Sequence, residues 1–160
     1  MPETPADPQA LRRALGCFAT GAAVVTAAGP GQPSGLTINS FASLSLDPPL
    51  VLWSLLARSP SLDCFRNATH FAINVLADNQ RELCARFAAR VPDRFAGVAW
   101  VPGAGGAPLL AGCAATFECA RVAEAEGGDH VLFTGRVERH WHDDRQPLIV
   151  LRGRYLQQAA

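Results

Sequence analysis

The segment Arg58-Ser59-Pro60-Ser61 sets an arginine and two hydroxyls just before an apolar, helix-like stretch. A helix start there leaves backbone N–H groups free and carries a partial positive charge, so the cradle suits a phosphate. An ordinary helix cap accounts for the same residues. Thr37, Asn39 and Ser40 make a polar edge able to hydrogen-bond a heterocycle; the wet face of an antiparallel sheet would look the same. Gly128-Asp129-His130 places a histidine where a hairpin turn enters a strand. Such an imidazole can contact a substrate or assist a proton, or can simply be solvated. His140-Trp141-His142-Asp143-Asp144 puts two histidines on one strand face with carboxylates beyond. No third ligand comes with a supporting motif and a polar hairpin tip explains the run, so no metal is assigned. His70 precedes an apolar strand and reads as structural. Gly103-Ala104-Gly105-Gly106 is followed by Pro108-Leu109-Leu110, not by the helix a dinucleotide fingerprint requires. All 14 basic residues are arginine, which excludes a lysine Schiff base and a P-loop lysine.

Positioning these groups requires mostly strands. Asp7-Pro8 opens a helix over about 8–18, with Leu11, Leu15 and Phe18 at helical spacing. Ala22–Ala28 is β-rich, and Gly29–Pro33 is a turn leading to the alternating segment Gly35–Phe41. Asp47-Pro48-Pro49 is a rigid turn before the apolar strand Leu50–Trp53. Ser59-Pro60 opens a short helix to about Asn67, and Phe71–Leu76 is a strand. Asp78 or Asn79 caps a helix through about Ala89, and residues 91–107 are loop-rich. Two long strands, about 112–124 and 129–141, meet at Gly127-Gly128, and a last strand covers about 148–155. Strands outnumber helices and come in hairpins without βαβ alternation. The expected fold is mainly β: an antiparallel barrel with a few peripheral helices. Residues 1–10 are taken as an N-terminal tail and 11–160 as a single domain.

Composition narrows the function classes. The 160 residues are 49% hydrophobic and 18% charged, which supports a full core and a subunit interface and excludes a disordered chain. Zero net charge argues against a nucleic-acid binder. The five cysteines contain no C-x-x-C pair, and their odd number suits free thiols in a reducing cytoplasm. No apolar run approaches the ~20 residues of a membrane span, and MPETPADPQA is not a secretion signal. Residue chemistry by itself reaches a soluble β-barrel with one plausible phosphate cradle.

Four stretches go further when taken in order. The first is Leu15–Gly21 with Val24-Val25-Thr26. The second is Gly35–Val51, containing the S-F-x-S-x-S-L-D-P-P run. The third is Phe71–Leu76, with Gln80, Leu83, Phe87-Ala88 and Asp93-Arg94-Phe95 behind it. The fourth is Gly128-Asp129-His130 with Pro147-Leu148 and Gly153-Arg154-Tyr155. Over about residues 11–156 the chain resembles the flavin reductase-like family. These are FMN-binding, Greek-key split barrels that serve as reductase components of two-component monooxygenases.

The resemblance implies a homodimer with FMN or FAD near its interface and NADH or NADPH as hydride donor. It implies that Thr37, Ile38, Asn39 and Ser40 line the isoalloxazine, and that Ser54, Leu55, Ser59 and Ser61 follow the ribityl chain and phosphate. Arg94 and Phe95 match a pair near the flavin. His130 matches the histidine on the nicotinamide side, with Tyr155 near it. Trp53 is bulkier than the residue usual beside the flavin strand. The implied reaction is hydride transfer from nicotinamide C4 to flavin N5, with reduced flavin passed to an oxygenase. The same fold also admits a non-catalytic flavin-binding carrier or sensor, or a split-barrel oxidase or haem-binding relative.

Overall fold

The computed structural model describes residues 7–156. Helix α1 (Pro8–Leu15) is capped by Asp7, whose Oδ1 accepts from the Gln9 backbone N–H at 2.8 Å. It ends three residues before the expected Phe18, and residues 8–10 are helical, not tail. Residues 1–6 of the expected tail lie outside the described residues. Strands β1 (Thr20–Gly21), β2 (Ala23–Ala27) and β3 (Ser34–Ile38) follow. Strand β4 (Ala42–Leu46) lies between Phe41 and the Asp47 turn, where the sequence reading assigned no element. It turns through Asp47-Pro48 into β5 (Pro49–Leu56). Helix α2 (Leu62–Asn67) begins later than Ser59-Pro60 suggests, because Ser59–Ser61 form a separate turn in which Leu62 N–H bonds the Ser59 carbonyl. Then come β6 (His70–Val75) and α3 (Arg81–Ala88). Inside the expected loop lie β7 (Trp100–Pro102) and, after it, β8 (Pro108–Leu110). The long hairpin is β9 (Ala115–Gly127) and β10 (His130–His142). The expected last strand is two, β11 (Ile149–Leu151) and β12 (Arg154–Tyr155), split by a turn at Arg152-Gly153.

Seven strands form one antiparallel sheet in the order β3-β2-β6-β9-β10-β5-β4. Its edge strands β3 and β4 are consecutive in the chain, joined by Asn39–Phe41 alone. Six interstrand steps of about 4.8 Å would hold the edges of a flat sheet roughly 29 Å apart. The linker spans at most about 14 Å. The sheet must therefore curl until its edges meet at a seam. Ring contacts across the interior agree: Trp53 on β5 reaches Phe71 on β6 at 5.7 Å, and Phe41 at the seam reaches Phe117 on β9 at 5.5 Å.

Alternate residues of every strand of this sheet but β4 fill that interior, among them Val25, Ile38, Val51, Trp53, Leu55, Ile73, Val131 and Phe133. Phe65 of α2 packs on Trp53 at 4.9 Å and closes one end. A second core lies outside β2, where α3 lays Cys84 and Phe87 against Val24, Leu76 and Leu148. Fully buried Asn74 ties the layers together. Its Nδ2 donates to the Val24 carbonyl at 3.1 Å, and its Oδ1 accepts from Leu110 N–H at 2.9 Å. No helix among the described residues is long and apolar enough to cross a membrane.

Candidate active site

The seam is where the polar edge read from the sequence lies. Strand alternation turns Ile38 into the barrel and leaves Asn39 exposed. The Ser40 hydroxyl accepts from Ser54 N–H at 3.0 Å and donates to the Ser54 carbonyl at 3.2 Å. That clamp fastens the β3–β4 link to β5. On β5, Val51, Trp53 and Leu55 point inward while Leu52, Ser54 and Leu56 form a half-buried outer face. Trp53 is fully buried, so its bulk fills the barrel and not the outer face.

Register carries the strip onward. Ser54 pairs with Leu132, and Leu56 with His130. His130 Nδ1 lies 2.7 Å from Asp129 Oδ1, and the Asp129 carbonyl accepts from Ala57 N–H at 2.9 Å. The bond from His130, then the charge on His130, hold the Asp129 carboxyl below its ordinary range, with a smaller contribution from Arg58. The strip thus runs Ser40, Ser54, Leu56 beside His130, and then Arg58 and the Ser59–Ser61 turn. In that turn Ser59 Oγ accepts from Ser61 N–H at 3.3 Å.

Other expected residues are held elsewhere. Thr37 Oγ1 donates to the Cys84 carbonyl of α3 at 2.7 Å. Arg94 donates to the carbonyls of Ala89 at 2.9 Å and Gly35 at 3.0 Å. Phe95 packs edge-on against Phe87 at 5.0 Å. A Cβ at Gly35 would come within 2.8 Å of Phe87 and 2.9 Å of Phe95, so β3 needs glycine there to let the two rings approach. Arg94 and Phe95 therefore brace the back of β3. Tyr155 lies under the Arg81 guanidinium, 5.6 Å from its ring centroid; a hydrogen bond with Cys84, then burial, push its phenol upward. Among the described residues no hydrogen bond or ring contact joins Tyr155 to His130.

Which polar atoms stay uncommitted decides what the strip can hold. The hydroxyls of Thr37 and Ser40 and the guanidinium of Arg94 are used internally, and Ile38 and Leu55 face the core. The side chains of Asn39, Ser54 and Ser61 make no hydrogen bond within the described residues. A half-buried leucine surface edged by an amide and hydroxyls, ending at an arginine, fits a flat heterocycle with a polar rim and a phosphate tail. Of the other histidines, His140 lies against Phe117 with ring centroids 6.2 Å apart, and Asp143 is taken up by Arg145 at 2.7 Å.

Sequence reasoning missed one feature. On the other side of Asn39 a cavity of about 950 Å³ opens between α1 and the β11–β12 turn, lined in part by Arg12, Arg13 and Arg152. Its signal was present as Arg152-Gly153, a two-residue turn hidden inside an apparent single strand.

Residues 15–159 match the flavin reductase like domain family. The chain belongs to this family. It is 48% identical over 140 residues to the FMN reductase (NADH) SmoA of Agrobacterium fabrum, covering 88% of this chain and 80% of that protein. It is 40% identical over 150 residues to HsaB, the reductase subunit of a flavin-dependent monooxygenase of Rhodococcus jostii, covering 93% and 77%. The solved structure of the NADH:FAD oxidoreductase SgcE6 of Streptomyces globisporus C-1027, in complex with NAD and FAD fragments, superposes with a TM-score of 0.94. That match has 38% identity and covers 99% of this chain and 97% of that one. Membership accounts for the order of the four motifs and for the curled, split sheet.

Proposed function

We propose that this flavin reductase-like chain oxidises NADH or NADPH and reduces FMN or FAD, and that the reduced flavin leaves for an oxygenase component. The observation that carries this reading is the continuous strip from the Ser40–Ser54 clamp to His130 and Arg58. When bound, the flavin supplies the hydride acceptor, and the nicotinamide supplies the hydride, so no protein acid or base is needed for that step. The chain's own work is placement. Asn39 and the backbone of Thr37–Ser40 meet the polar rim of the ring. The outer leucines of β5 and β10 give it an apolar bed. Ser54, Ser59 and Ser61 follow the tail, and Arg58 offsets its charge. Leu55 contributes through its backbone, since its side chain is buried. Thr37, Arg94 and Phe95 hold β3 in place, and Tyr155 braces α3 from the far side.

His130 positions the nicotinamide, with Asp129 orienting the imidazole through the 2.7 Å contact. The name of HsaB, a monooxygenase reductase subunit, supports an oxygenase as the recipient. A homodimer is supported by apolar side chains left uncovered in one copy, Leu44 and Leu46 on β4 among them. All five cysteines are free thiols, which supports the cytoplasm as the compartment. The test is nicotinamide oxidation with FMN, FAD and riboflavin in turn, each with NADH and NADPH. Turnover with at least one pair is expected. Flavin binding without bleaching by either nicotinamide would leave a carrier instead.

A further inference from the structure

The cavity beside Asn39 draws three arginines from two separate elements. Arg12 and Arg13 come from the last turn of α1, and Arg152 from the β11–β12 turn. No aspartate or glutamate is among the lining residues, and none of the three arginines makes an ion pair or side-chain hydrogen bond among the described residues. Leu15 and Phe18, 66% and 80% exposed, supply an apolar wall. A helix C-terminus favours a cation, which accounts for Arg12 or Arg13. It does not account for Arg152.

Arg152 has φ 50° and Gly153 φ 74°, a two-residue hairpin with both centres left-handed. Such a turn favours asparagine, aspartate or glycine at its first centre. Among the described residues Arg152 is the one non-glycine residue with positive φ. Its backbone N–H donates to the Gly16 carbonyl at 2.9 Å, a bond any residue there except proline could make. The choice of arginine against the turn's preference points to its guanidinium.

We infer that this cavity is a subsite for the pyrophosphate and adenine of a dinucleotide, with Arg12, Arg13 and Arg152 holding the two phosphates and Phe18 lying along the base. Guanidinium groups bind phosphate oxygens in pairs, and two phosphates with an apolar base match three arginines beside an aromatic wall. The inference rests on the flavin reductase reading for its ligand. Asn39 lies on the border of cavity and strip, so a dinucleotide whose other end reaches the strip would span both. Of the two dinucleotides in the flavin reductase reading the nicotinamide donor fits, because the flavin's own phosphate is placed at Arg58 and the Ser59–Ser61 turn, none of which lines the cavity.

ADP is the probe, because its binding needs no turnover. Titration calorimetry of the wild-type chain with ADP is expected to show binding that weakens as salt rises. Arg152→Asn suits the turn and should leave thermal stability intact or raised while weakening ADP about tenfold, the loss expected for one charge-assisted contact. Arg12→Gln/Arg13→Gln should weaken it further, and Arg90→Gln, outside the cavity, should not. A raised KM for NADH with FMN as acceptor assigns the phosphates to the nicotinamide donor. Loss of FAD affinity with the KM for NADH unchanged would overturn the assignment to the donor and move the FAD tail from Arg58 to this cavity. No binding of ADP by the wild type, or equal binding by the folded triple variant, overturns the subsite. Because ADP is scored apart from turnover, a chain that binds it yet reduces no flavin would refute the reductase reading alone.

Discussion

His130 and Asp129 illustrate how single residues divide the work. The imidazole is partly exposed beside the strip, and its carboxylate partner is in open solvent, so the pair contributes little to the fold and is free for the ligand-orienting role proposed above. Replacing His130 with alanine should lower kcat/KM for NADH about tenfold, the worth of one polar contact made at the reacting ring, while FMN affinity stays as it was. Steady-state kinetics beside FMN titration by fluorescence quenching measure both; equal losses in the two would make His130 a flavin ligand. The buried thiols behave differently. Burial pushes Cys113 and Cys119 up to about 12, with the charges of Glu138 and Glu118 adding to the rise at Cys119. The folded state therefore keeps protons that the unfolded chain gives up first. Their contribution to stability is whole below the ordinary thiol value of 9.0 and is lost as pH rises from there toward 12. Denaturant unfolding should show stability falling above that point by about 1.4 kcal/mol per pH unit per thiol. Cys119→Ala should make the fall shallower.

At the scale of elements, the polar residue inside the apolar run Phe71–Leu76 is a strut. Asn74 satisfies groups on β2 and β8 at once, with Thr26 joining it at 3.2 Å. Asn74→Ala should cost roughly 2–4 kcal/mol, because it strands a buried N–H and carbonyls together. A lowered unfolding midpoint with unchanged m-value would show it, and residual flavin affinity in the folded fraction would separate that loss from damage to the site. The clamp of Ser40 on Ser54 acts between elements in the same way, holding the one link that crosses the seam.

For the whole molecule, β4 is the exposed margin. Leu46 is 93% exposed and Leu44 52% in a single copy, on a sheet edge that offers unpaired backbone. If two copies cover this margin, Leu46→Asp should shift the sedimentation coefficient from dimer to monomer and weaken flavin binding along with it. A monomeric wild type would remove the dimer from the reading. A variant that stays dimeric would move the interface elsewhere.

Local patterns in the chain determined the antiparallel β class, the positions of most strands and the motifs that mark the family. Those features depend on alternation, turn residues and short-range order, and all are written in consecutive residues. The polar turn at Ser59–Ser61 and the histidine at the head of β10 were legible for the same reason. Tertiary structure decided which side chains are free. Thr37, Ser40 and Arg94 look like ligands in a row of letters, yet partners 47, 14 and 59 positions away in the chain have taken their polar atoms. The seam itself, and the arginine cavity beside it, exist because the sheet curls and brings α1 and the β11–β12 turn against Asn39. Such closure sums over seven strands, and no local stretch of sequence carries it.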